Sequence, residues 1–133
     1  MATSHEDIER YLLATHIPSE LVGDGLWVLR DPSWGYAQIV VHFSEPLVVF
    51  RVKLFDLPVG LADARKAAIF GRLLELNATE MLQGAYALEG DHVVAVEVMQ
   101  TQNLDQNEFL AALDSLTMAI VEHRPSIEAL LHA

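Results

Sequence analysis

Apolar and polar positions along the chain repeat with two periods, helical near about 3.6 and strand-like near 2, and each change of period marks an element. Ser4, with Asp7 three residues on, has the form of a helix start; Ile8, Tyr11, Leu12 and Thr15 then share one face, and Pro18 is expected to end that helix. After Gly23-Asp24-Gly25, the stretch Leu26 to Arg30 reads as a strand, and Asp31-Pro32-Ser33-Trp34-Gly35 as a turn. Tyr36 to Phe43 and Leu47 to Phe55 follow as strands separated by Ser44-Glu45-Pro46, which predicts an antiparallel meander.

The Leu47–Phe55 strand alternates strictly. Val48, Phe50, Val52 and Leu54 fall on one face, the expected core face, and Val49, Arg51, Lys53 and Phe55 on the other. In the strand before it, Val40 faces opposite to Ile39 and Val41. Asp63 is placed as the cap of a second helix running to about Leu76, with Ala67, Phe70, Leu73 and Leu74 as its apolar stripe and Asn77 at its end. Gly84 to Glu89, the tight turn Gly90-Asp91, and His92 to Met99 read as a hairpin. Asp105 and Glu108 form a capping box for a last helix with Phe109, Leu113, Leu116 and Ile120 on one face; Pro125 is expected to break it, leaving Ser126 to Leu131 as a short helix or frayed tail.

These elements predict one α+β domain over 1–133 in the order α-β-β-β-α-β-β-α. The expected architecture is a twisted antiparallel sheet of five strands with the helices packed mainly on one face, because the strands alternate as one-sided sheets do. The chain has 133 residues, 52% of them hydrophobic, enough to build a core of its own.

Charge narrows the function. Eight Lys and Arg stand against 19 Asp and Glu, a net charge of −11, and such a field repels nucleic-acid phosphates and anionic membranes alike. There is no cysteine, so disulfides, thiolate metal sites and a cysteine nucleophile are excluded. Met1 to Asp7 contain neither a basic nor an apolar signal region, and nowhere do about 18 apolar residues run together. A reducing, cytoplasmic setting is expected.

Catalytic patterns are missing. Gly23-Asp24-Gly25 and Pro58-Val59-Gly60 do not continue into a phosphate-binding loop, and Ser44 lacks the flanking glycines of a nucleophile elbow. His5, His16, His42, His92, His123 and His132 have no metal-ligand spacing, and each is expected at the surface or at a strand end. Asn77-Ala78-Thr79 matches a glycosylation sequon, which has no meaning without secretion. Apolar surface is left as the working feature. Val40, Val49 and Phe55, with Arg51 and Lys53 beside them, are exposed if helices cover only one sheet face, and apolar strand residues flanked by charge suit a peptide-binding surface. A further helix or a dimer partner over the same residues is the alternative.

The stretch Ile69-Phe70-Gly71-Arg72-Leu73-Leu74-Glu75-Leu76-Asn77, the small-residue strand Gly84-Ala85-Tyr86-Ala87-Leu88, the turn Glu89-Gly90-Asp91, the strand His92 to Met99 and the capped helix Asp105 to Arg124 resemble the class I type III secretion chaperones (the Tir chaperone family) and the related YbjN-like proteins. The resemblance covers nearly the whole chain. It implies a cytoplasmic homodimer with no cofactor and no catalysis, joined through the second helix or Gly84 to Met99, that holds an extended client segment on hydrophobic patches. Val40, Val49, Arg51, Lys53 and Phe55 are the candidate client-binding residues. A YbjN-like regulatory role without a secretion client is the first alternative. The second is a small-ligand-binding protein or enzyme with a pocket between sheet and helices, lined by Trp27, Trp34 and Tyr36.

Overall fold

The structure, a computed structural model, describes residues 3–132. Both expected capping boxes form. Ser4 and Asp7 exchange side-chain and backbone hydrogen bonds at the start of helix α1 (His5–Ala14), and Asp105 and Glu108 do the same for α3 (Gln106–Met118). Ile8, Tyr11 and Leu12 turn inward from α1.

The sheet has six strands, not five: β1 (Ser19–Gly23), β2 (Leu26–Leu29), β3 (Ile39–Ser44), β4 (Leu47–Asp56), β5 (Ala85–Glu89) and β6 (His92–Gln100). They lie in the order β1-β2-β3-β4-β6-β5, every pair antiparallel. The unexpected strand is β1. All five of its residues are exposed, so burial imposes no alternation on it, and it is held by pairing with β2 alone.

The inner face carries Trp27 and Leu29 of β2, Ile39 and Val41 of β3, Val48, Phe50 and Val52 of β4, and Val93 and Ala95 of β6. Helix α3 packs there. The Phe109 ring stands edge-on to Phe50 at 5.0 Å and tilted against Tyr11 at 5.4 Å, joining α3, β4 and α1 in one core.

Phe55 departs from the expected alternation. Lys53 pairs with Val94 and Phe55 with Val93, so β4 spends two residues where β6 spends one. This bulge turns Phe55 to the inner face, where it is 4% exposed. Phe55 is therefore a core residue and does not share the outward face with Val49, Arg51 and Lys53.

The second helix, α2, spans Asp63–Thr79, beyond both Leu76 and Asn77. Ala62 is its N-cap with no side-chain bond, and Asp63 is its first residue instead of its cap. The buried stripe is Ile69, Leu73 and Leu76, so of the four expected residues only Leu73 is in it; Ala67 and Leu74 face solvent and Phe70 is half-buried. The helix packs against β5 at one end of the sheet and cannot turn its whole apolar surface inward.

Pro125 does not end the last helix. α3 passes into a π turn (Ala119–His123), closed by the Arg124 N–H reaching back to the Ala119 carbonyl, and then into α4 (Arg124–Glu128), followed by a short 3-10 turn at Ala129–Leu131. The widened turn displaces the carbonyl that a proline ring would strike in a regular helix, and Pro125 sits in the first turn of α4, where proline is tolerated.

Candidate protein-binding surfaces

The two edges of the sheet are built differently. At the β5 edge, Asn77 of α2 accepts from the Tyr86 N–H through Oδ1 at 2.6 Å and donates from Nδ2 to the Tyr86 carbonyl at 3.2 Å. Both backbone groups therefore point away from β6, and the side chain occupies the place a further strand would take. Asn77 caps this edge at Tyr86 instead of ending its helix. Leu73 and Leu76 bury α2 on the core, and Asn77, one residue on, reaches the strand backbone.

At the other edge, no described residue pairs with the free side of β1. The Arg30 N–H donates to the Pro18 carbonyl at 3.2 Å, and pairing alternates along an antiparallel ladder. Glu20 therefore points its backbone groups toward β2, and Ser19 and Leu21 point theirs outward. Beside this edge, α1 and β1 enclose a cleft of about 330 Å³ lined by Glu9, Leu12, Leu13, Ser19, Leu21 and Trp27. Leu13 is 79% exposed, and Leu21 and Val22 are about half so. These residues were not among those the sequence singled out. The signal was present in Leu13, an apolar residue off the buried stripe of α1, and in the pair Leu21-Val22 lying just after a helix-ending proline.

The outward face carries four of the five expected site residues. Val40 and Arg51 are direct partners across β3 and β4, and Val49 stands two pairs further on, opposite His42 and Val98. Lys53, Arg51 and Val40 line a shallow cavity of about 290 Å³ with Tyr36 and Gln38. The cations are not free. Arg51 reaches Glu89 of β5 across the intervening strand β6. The Arg51 guanidinium holds the Glu89 carboxyl below its usual range, and His92 first, then Lys53, does the same for Asp56.

Two other expectations are corrected. His123 is 5% exposed, buried in the π turn, with its Nδ1 2.6 Å from the Tyr86 hydroxyl and its Nε2 3.6 Å from a Glu80 carboxylate oxygen. Burial pushes the Tyr86 hydroxyl far above its usual range, so it stays protonated and shares a hydrogen bond with the ring. Trp27, Trp34 and Tyr36 do not line one pocket: both tryptophans are core, while Tyr36 is exposed and donates to the Leu54 carbonyl at 2.7 Å. Among the described residues no helix is long and apolar enough to cross a membrane.

In the family comparison the model of CesT_Tir_1 matches residues 1–132. The chain belongs to the CesT_Tir_1 family. Solved structures agree in fold. A chain of the heterodimeric ExoU–SpcU complex from the type III secretion system of Pseudomonas aeruginosa superposes with a TM-score of 0.62 at 17% identity, covering 94% of this chain and 95% of that one. YbjN from E. coli gives 0.63 at 11% identity, covering 95% and 94%. A chain of the HopA1–SchA chaperone–effector complex gives 0.59 at 6% identity, covering 96% and 92%. No curated protein matches the sequence. This CesT_Tir_1 member therefore has the α+β fold of the type III secretion chaperones and of YbjN.

Proposed function

We propose that this chain is a non-catalytic chaperone of the type III secretion kind that holds an extended segment of a client protein along the free edge of β1. The observation that carries this reading is the difference between the sheet edges: Asn77 caps one at Tyr86, and the other presents unpaired backbone along β1 beside an apolar cleft. A strand added there gains main-chain hydrogen bonds, and its alternate side chains enter the cleft beside Leu12, Leu13 and Trp27. Membership of the CesT_Tir_1 family and the likeness to chains from ExoU–SpcU and HopA1–SchA support a protein client. The absence of cysteine suits work in the cytoplasm. The outward residues Val40, Val49, Arg51 and Lys53 are proposed as a further client contact, supported by their open position on the helix-free face. The likeness to YbjN keeps a regulatory role without a secretion client as the second reading.

Leu21→Pro tests the edge. It removes one outward N–H without cutting the β1–β2 ladder, and proline is tolerated on an edge strand. Client affinity is expected to fall about tenfold or more, a loss of roughly 1.4 kcal/mol or above, with little change in thermal stability. Unchanged client retention in a folded variant would refute the edge site.

The same reading includes a homodimer joined through α2, whose Leu74 is 68% exposed on its outer face while Phe70 packs partly against the core. Sedimentation of the unmodified chain is expected to show a dimer, and Leu74→Asp is expected to shift it to the monomer mass of 14.8 kDa. A monomer before substitution, or a dimer unaffected by it, would place the contact elsewhere or remove it.

A further inference from the structure

A second groove lies away from both the β1 edge and the outward sheet face. The loop after α2 folds back on α3, and between them Leu82, Ala111 and Met118 form the apolar lining of a cavity of about 320 Å³, with Glu80 and Asp114 among the residues around it. Its walls are fixed. Met81 is buried beneath the loop, and the Gln83 N–H donates to Oγ of the buried Ser115 at 3.3 Å, fastening loop to helix. Leu82 is nevertheless 87% exposed at the groove.

The charges here are uncompensated. Arg10 serves Asp7, Arg30 serves Glu20, Arg51 serves Glu89 and Lys53 serves Asp56, but no Lys or Arg lines this groove. Asp114 has no hydrogen bond or ion pair among the described residues. Glu80 has one polar neighbour, the His123 ring, whose Nε2 lies at the long distance of 3.6 Å. An apolar cleft bearing two carboxylates with no Lys or Arg partner complements a long aliphatic stem ending in a cation, set beside an apolar neighbour.

We propose that this groove docks a basic amphipathic segment of a protein partner, with an Arg or Lys head meeting Asp114 and Glu80 and apolar side chains covering Leu82 and Met118. It shares no residue with the β1 site, so each can fail without the other.

The test uses the full chain and, as probe, a short fluorescein-labelled helix-forming peptide of leucine and arginine, read by fluorescence polarisation at physiological ionic strength. The doubly substituted Glu80→Gln, Asp114→Asn protein is expected to bind it about tenfold more weakly, and Leu82→Ser to weaken it as well. All three positions are exposed, so the fold tolerates the changes. Asp24→Asn with Asp91→Asn, which removes two carboxylates from other loops, is expected to stay within about twofold, and Leu21→Pro likewise. The proposal is overturned if the peptide does not bind, if the two carboxylate pairs have equal effects, as general attraction to an acidic protein would give, or if Leu82→Ser leaves affinity unchanged. It is also overturned if Leu82→Ser lowers the sedimenting mass, since the groove would then belong to a second copy of the chain.

Discussion

Phe109→Ala is expected to destabilise the protein by about 3–5 kcal/mol, a large part of the roughly 5–15 kcal/mol that holds a domain of this kind together. Phe109 is fully buried and meets Phe50 edge-on and Tyr11 at a tilt, so one ring joins the helix, the central strand and α1. Those neighbours belong to two different elements, β4 and α1, and cannot collapse together into the space left behind. The substitution therefore loses the transfer free energy of the ring and opens a cavity as well. Urea denaturation monitored by circular dichroism measures the difference. A loss below about 1 kcal/mol would mean that α3 does not close the core in the way described.

The second large effect concerns adjacent faces of one strand. Phe55→Asp is expected to prevent stable folding, because the bulge at Lys53/Phe55 turns this residue inward and a carboxylate there would be buried without a partner, at a cost of several kcal/mol. Val49→Asp, six residues earlier on the helix-free face, is expected to cost only about 1 kcal/mol, mostly the lost β-branched packing against Val98. Thermal melts of the two variants make the comparison. Similar melting of both would show that the bulge does not redirect Phe55.

The same bulge shows where sequence reasoning stops. Strict alternation correctly assigned Val48, Phe50, Val52 and Leu54 to the core and placed Val40, Val49, Arg51 and Lys53 outside, because a period of two holds wherever the ladder is regular. One extra residue reverses it, and nothing in Lys53-Leu54-Phe55 announces the extra residue. The capping boxes at Ser4 and Asp105 were legible because they depend on residues three apart in the chain. β1 was not, since a fully exposed edge strand carries no burial pattern. The π turn that admits Pro125, the burial of His123 against Tyr86, and the clasp of Asn77 on β5 all depend on partners distant in sequence. The proposed binding edge was hidden for the same reason: its identity rests on which strand has no neighbour, a property of the assembled sheet.

Backbone amide hydrogen exchange on β1, measured for the free chain and for its complex with a bound client protein, tests the central claim most directly. The account predicts that the outward-pointing amides of Ser19 and Leu21 exchange rapidly in the free protein and become strongly protected in the complex, while Tyr86, already bonded to Asn77, changes little. Rapid exchange at Ser19 and Leu21 in a fully formed complex would contradict it.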